Sequence, residues 1–288
     1  MRIFDDIGLI DLAIHTDRAL VVTDFHIGYE GALNKQGLMV PRFQFLEIMK
    51  RLEKIFSRLK NKKVERIIVN GDLKHEFGNI SEQEWRHTLQ LLDFFEKHCN
   101  EIILIKGNHD TILGPIAKKR NVKVLDSYII ESMEKSAIIK KTNEKIKNND
   151  SKNRSTIKKI NIKNQIEKTI KNKIMINNKN SKNKILIIHG DEIPEKNLLK
   201  DVSTIIIGHE HPAVSIKEGP RRELFKAYLI GKWKGKNLIV QPSFNLVVEG
   251  TDVLKEEVLS QFLKNNLRNF DAVVAADKLY KFGKLKDL

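Results

Sequence analysis

Residues 205–211 read Ile-Ile-Ile-Gly-His-Glu-His. A β-branched run suits a strand buried on both faces, and it stops at Gly208, where the backbone is freed. His209 and His211 follow at alternate positions. Four more stretches repeat this plan. Val21-Val22-Thr23 runs into Asp24-Phe25-His26, and Ile67-Ile68-Val69-Asn70 into Gly71-Asp72, with His75 close behind. Ile102-Ile103-Leu104-Ile105-Lys106 leads to Gly107-Asn108-His109-Asp110, and Ile185-Leu186-Ile187-Ile188 to His189-Gly190. Each apolar strand delivers Asp, Asn or His into a turn at its carboxyl end, where ligands gather in layered α/β folds.

Working outward, residues 8–23 read as a hairpin, with Leu9–Ile14 and Ala19–Thr23 extended and His15 in the connecting turn. Residues 25–40 read as a Gly-spaced loop. Pro41 opens a helix to about Lys60, with Phe45, Ile48, Leu52, Ile55 and Leu59 at helical spacing. Ser81-Glu82-Gln83-Glu84 is a capping box for a helix to about His98. A short helix is predicted near 112–119, with strands near 122–125 and 128–139. Three strands, 213–217, 224–230 and 237–240, form a meander, and another extended stretch lies near 246–249. Strand–helix alternation followed by a strand-rich half predicts an α/β fold: a four-layer αββα sandwich of two mixed sheets flanked by helices, one domain over 1–288.

The net charge of +15 does not describe a binding face. Residues 140–184 hold 14 Lys, one Arg and three acids, so +3 remains elsewhere. This segment has 11 Asn, no Gly, Pro or aromatic residue and no clean period, and reads as a disordered or weakly helical insertion within the domain. No apolar run approaches the roughly 18–20 residues that cross a bilayer. Cys99 is the one cysteine, which excludes an intrachain disulfide. A cytoplasmic protein without membrane contact is expected.

Six of the nine histidines lie in the five stretches, beside Asp, Asn or Gly. Imidazole, carboxylate and amide donors without a thiolate suit Mn²⁺, Fe²⁺, Zn²⁺ or Co²⁺ rather than a Cys-lined structural zinc site. There are too many donors for one ion and enough for two. His87 and His98 lack such a setting.

Taken together and in this order, Asp24-Phe25-His26, Gly71-Asp72-Leu73-Lys74-His75, Gly107-Asn108-His109-Asp110, His189-Gly190 and Gly208-His209-Glu210-His211 resemble the five signature blocks of the calcineurin-like metallophosphoesterase superfamily. The closing segment, Ile230-Gly231-Lys232-Trp233 through Pro242-Ser243-Phe244-Asn245 and Val248-Glu249-Gly250-Thr251-Asp252, resembles an archaeal SbcD-related phosphoesterase group. The resemblance implies a metal-dependent phosphoric ester hydrolase with two divalent ions, Mn²⁺ first and Fe²⁺, Zn²⁺, Co²⁺ or Ni²⁺ as alternatives. It implies that Asp24, His26 and His211 hold one ion, that Asn108, His189 and His209 hold the other, and that Asp72 bridges them. A metal-bridging hydroxide would attack phosphorus in line, with His109 as general acid. His75 stands where phosphatase relatives keep an orienting aspartate, which leaves the partner of His109 open; Asp110 is expected to support a turn or ligand. The leading reading is a phosphodiesterase, a nuclease being one version, with nucleic acid or nucleotide as substrate. Alternatives are a phosphomonoesterase or nucleotide hydrolase of the same fold, or a non-catalytic interaction scaffold.

Overall fold

In the computed structural model, which describes residues 1–4, 7–16, 18–59, 64–131, 184–264 and 267–288, the β-branched runs become the centres of two sheets. The first sheet has seven strands in chain order: β1 (Arg2–Phe4), β2 (Ile7–Ile10), β3 (Ala13–Thr16), β4 (Ala19–Val22), β5 (Arg66–Asn70), β6 (Glu101–Ile105) and β7 (Lys123–Leu125). Strands β1 to β4 pair antiparallel, and β4 to β7 pair parallel. Parallel neighbours need long crossovers, and helices supply them. Helices α1 (Tyr29–Lys35) and α2 (Gln44–Arg58) lie between β4 and β5, α3 (Glu82–Glu96) between β5 and β6, and α4 (Gly114–Arg120) between β6 and β7.

The second sheet has nine strands. These are β8 (Ser127–Glu131), β9 (Lys184–Ile188), β10 (Val202–Ile207), β11 (Pro212–Glu218), β12 (Arg221–Trp233), β13 (Lys236–Val240), β14 (Thr251–Asp252), β15 (Asp271–Ala275) and β16 (Leu279–Lys284). The path runs β14-β11-β12-β13-β10-β9-β8, with β15 joined to β12 and β16. At its centre β10 pairs parallel with both β9 and β13.

Period-two alternation divides the core. Ile206, Tyr228, Ile239 and Phe244 belong to one continuous apolar cluster with the strands of the first sheet, and that cluster extends to Ile48, Leu52, Leu92 and Phe95 of the helices. Ile205 and Ile207 face outward against Leu229, Phe262 and Phe270. All three β10 isoleucines are fully buried, which is why the run shows no polar alternation. The expected sandwich of two mixed sheets with flanking helices is the observed architecture. Among the described residues the four α-helices all come from the first half of the chain, and Val253, Phe262, Leu263 and Phe270 cover the outer side of the second sheet.

Four local expectations change. The stretch Leu9–Ile14 is two strands, because Asp11 takes a left-handed φ of 55° and turns the chain while Leu12 stays buried. His15 therefore lies in β3, not in a turn. Helix α1 occupies part of the predicted loop 25–40, starting after Gly28 at φ 96°. Helix α2 begins at Gln44 rather than at Pro41, because the Glu30 carboxylate accepts from the Gln44 amide, a cap supplied from α1. No strand forms over 246–249; Val248 and Glu249 instead offer carbonyls to the Lys226 ammonium at 2.8 and 3.1 Å. The capping box is present, with Ser81 and Glu84 bonded reciprocally. Of the 140–184 segment, residues 140–183 lie outside the described residues, and Lys184 opens β9.

Candidate metal centre

Strands β4, β5, β6, β9 and β10 end side by side, and past their ends the loops continue to pair. Asp24 N bonds Gly71 O at 3.1 Å, His26 N bonds Asp72 O at 2.9 Å, and Gly208 N bonds His189 O at 2.8 Å. The turning residues are the metal-liking ones. Asp24, His26, Asp72, His209 and His211 all have positive φ, between 45° and 62°. That region costs a non-glycine residue roughly 1–2 kcal/mol, so packing must hold five such residues in place. Two glycines make the approach feasible. A Cβ on Gly71 would stand 2.1 Å from His189 Nδ1, and one on Gly208 would stand 2.1 Å from Thr23 Oγ1 and 2.5 Å from Asp24 Oδ2.

The side chains meet in two groups that share Asp72. Asp24, His26, Asp72 and His211 each offer one donor atom within 4.8 Å of the others. Asp72, His189 and His209 do the same. In the first group His26 Nε2 is 3.2 Å from His211 Nε2 and 3.5 Å from Asp72 Oδ2. In the second, His189 Nε2 is 3.4 Å from Asp72 Oδ2, 3.2 Å from His209 Nδ1 and 3.1 Å from Asn108 Oδ1. The seven side chains named from the sequence as ligands are thus brought to one place.

Asp24 Oδ1 is buried and has no hydrogen-bond partner. It lies 3.6 Å from both His189 Nδ1 and His211 Nε2. A buried carboxylate oxygen left without a donor is costly. The electrostatics point the same way. Burial alone would lower His189, but its bond to Asp72 and the charges of Asp24 and Asp72 carry it up to about 10. His26, by contrast, is pushed down to about 3 by burial and by the neighbouring His211. Burial opposes ionisation of Asp72, yet His189 and His26 hold its carboxyl well below the usual range. The pocket therefore favours positive charge between its carboxylates while keeping a neutral imidazole available. His/Asp clusters of this kind fit a dinuclear divalent site.

Around the two groups stand the supports. His109 donates its amide to Asp72 Oδ1 at 2.9 Å, so the carboxylate common to both groups fixes this loop. His109 Nδ1 rests against the main-chain carbonyl of His75. The partner left open by the sequence is thus a backbone oxygen, not a carboxylate. The His75 ring lies closer to the first group than a mere support: its Nδ1 is 3.3 Å from His26 Nδ1, and His26, His75 and His109 form a third cluster of donors. Asp110 is buried and accepts from Leu73 N at 3.1 Å and Gly107 N at 3.2 Å, tying the Asp72 loop to the Asn108 loop. Burial and the Asp72 charge push its carboxyl up to about 7.

Three supports escaped the sequence reading. Glu84 is fully buried and, besides closing the capping box, accepts from His75 N at 3.0 Å and Glu76 N at 2.7 Å. Lys74 is fully buried, its ammonium held by the carbonyls of Glu76 and His109, the latter at 2.9 Å. Gln241 reaches across the sandwich to Leu12 O and Val21 O, at 2.8 and 3.0 Å. Only the Ser-x-x-Glu spacing of Glu84 left a trace in the sequence, and that trace indicated the helix, not the loop. His87 and His98 stack on Phe45 and Phe56, away from the cluster, as expected.

Two sheets whose strand ends present a paired His/Asp cluster define an α/β protein with a candidate dinuclear metal centre. The chain belongs to the calcineurin-like phosphoesterase family, whose model matches residues 18–228. It is accordingly a metal-dependent phosphoester hydrolase. Among solved structures, a nuclease MPE from Pseudomonas putida is similar at 15% identity and a TM-score of 0.54, over 96% of this chain and 94% of that one. A protein of unknown function from Aquifex aeolicus is similar at 16% identity and a TM-score of 0.33, over 66% and 77%. A Vps29 complexed with Zn²⁺ from Entamoeba histolytica is similar at 13% identity and a TM-score of 0.32, over 91% and 97%. At 15% identity the likeness to the nuclease MPE is one of fold. No curated protein matches the chain. Among the described residues, no helix is long and apolar enough to cross a membrane.

Proposed function

We propose that the protein is a phosphodiesterase acting on nucleic acid or nucleotide esters, with Mn²⁺ as the working metal. Asp24, His26 and His211 would hold one ion, Asn108, His189 and His209 the other, with Asp72 shared. The observation that carries this reading is the sharing itself: one buried carboxylate belongs to both donor groups. Two cations held close together repel, and an anionic oxygen between them offsets that repulsion. When bound, such ions supply a polarised phosphoryl group and an activated water nucleophile.

His109 is the general acid in this reading. Its Nδ1 is taken by the His75 carbonyl, an acceptor only, so the proton sits on Nδ1 in the neutral ring. In the imidazolium, the form that can act as an acid, Nε2 carries the second proton and gives it to the departing ester oxygen, leaving the neutral ring protonated on Nδ1. Asp72 orients the same residue from the main-chain side. Such a donor assists the cleavage of any phosphate ester whose leaving alkoxide is a strong base.

The test is a substrate panel with the Mn²⁺-loaded protein: single-stranded DNA, duplex DNA, cyclic nucleotides and simple monoesters. Diesters are expected to exceed monoesters in kcat/KM by at least about tenfold, on the order of 1.4 kcal/mol of transition-state stabilisation. Preference for monoesters would overturn the diesterase reading and leave the metal-site reading standing.

A further inference from the structure

Phe77 is a large apolar side chain left 58% exposed beside the polar metal centre. Single exposed apolar residues are ordinary on a protein surface, so exposure alone says nothing. Its position does. The Phe77 ring lies 3.8 Å from that of His109, at an interplanar angle of 34°. His109 in turn lies 5.1 Å from His75 in a stacked arrangement, and His75 lies 4.4 Å from Tyr29. Four rings thus run from α1 past the metal centre to the surface, and Phe77 is the solvent end.

The loop that carries Phe77 is held on both sides. Before it, Glu76 N is bound by Glu84, Glu76 O by the Lys74 ammonium, and the Glu76 carboxylate by Lys35 at 2.6 Å. After it, Gly78 N donates to Thr111 Oγ1 at 3.1 Å. With the backbone held on both sides and one ring face against His109, Phe77 is placed before a second ring stacks on it, which is what preorganisation contributes to binding.

We propose that Phe77 is the stacking platform for a nucleobase of the substrate, on the nucleotide whose ester is cleaved at the metal centre. This rests on the phosphodiesterase reading and deepens it by naming the substrate class: single-stranded nucleic acid or a nucleotide ester with an accessible base. A base within a duplex keeps its faces stacked on its neighbours and cannot use the platform without unstacking. The occupant is a base rather than an apolar peptide because the adjoining His109 and metal donors would handle its phosphate one sugar away. Stacking on an aromatic side chain accepts any base, since each has a π face.

The test uses the full chain with Mn²⁺, as wild type, Phe77→Ala and Phe77→Trp. Each is given a single-stranded DNA oligonucleotide and the same strand with abasic tetrahydrofuran residues. Fluorescence anisotropy gives affinity for both strands, and kcat and KM are measured where cleavage occurs. The wild-type preference for the base-bearing strand should fall about 5- to 100-fold in Phe77→Ala, chiefly through Kd and KM, and should be kept in Phe77→Trp. An unchanged preference in Phe77→Ala would overturn the proposal, leaving Phe77 as a cover for His109. If wild type cleaves neither strand, the diesterase reading fails; the anisotropy comparison still decides whether Phe77 binds a base.

Discussion

The two donor groups that meet at Asp72 are unequal. One sets two carboxylates, Asp24 and Asp72, among His26 and His211. The other has only the shared Asp72, with His189, His209 and the neutral amide of Asn108. The first is the more anionic, and its His26 is kept neutral, ready to donate a lone pair. In the second, the bond to Asp72 and the charges of Asp24 and Asp72 favour the protonated His189, a proton that a cation bound there would have to displace. Similar donors at similar distances can therefore hold two ions with different affinity and different pH dependence.

The largest effect should come from removing what the groups share. Asp72→Ala is expected to abolish bound metal at both positions and to lower hydrolysis by at least about 10³-fold, read by elemental analysis and steady-state rates. Two ions still bound would remove Asp72 from the centre. His109→Ala should cut turnover by about 10²–10⁴-fold with metal content unchanged. Loss of metal in that variant would move His109 into the ligand set, as its clustering with His26 and His75 allows.

The inequality itself is sharpened by titration. Calorimetry of the metal-free protein should resolve a tighter and a weaker step. Asp24→Asn should weaken the tighter one, and Asn108→Ala the weaker one. Because His189 must release its proton, the weaker step should tighten as pH rises from 6 to 8, with a heat that depends on the buffer's own ionisation. Identical, pH-independent steps would contradict the asymmetry.

The smallest effect lies outside the centre, at Lys226. Burial pushes this ammonium down to about 8 although it donates to Ser243, Val248 and Glu249. Its folded pKa is thus below the unfolded 10.5, so between pH 8 and 10 the unfolded chain holds more of this proton and stability rises with pH. Tyr228, pushed up by burial, acts in the opposite sense above pH 10. The stability of wild type relative to Lys226→Met, read by urea unfolding without metal, should rise across pH 8–10 by at most about 1.4 kcal/mol per pH unit. Taking the difference removes the His189 contribution common to both proteins. A flat difference would mean that the carbonyl contacts keep Lys226 charged.

What the sequence determined by itself was the set of strands and the chemistry at their ends. Burial on both faces demands a β-branched run such as Ile205-Ile206-Ile207, and a sharp exit demands Gly208 or Gly71, so both leave a local mark. The helix over 82–96 was legible for the same reason, since its cap is built from neighbours three residues apart. Only tertiary structure decided which residues fix those ends in place. Glu30 starts a helix 14 residues away, Glu84 holds the His75 loop, the His75 carbonyl faces His109, and Gln241 spans the sheets. Those bonds join partners far apart in the chain through main-chain atoms that every residue carries, and a backbone carbonyl has no letter in the sequence.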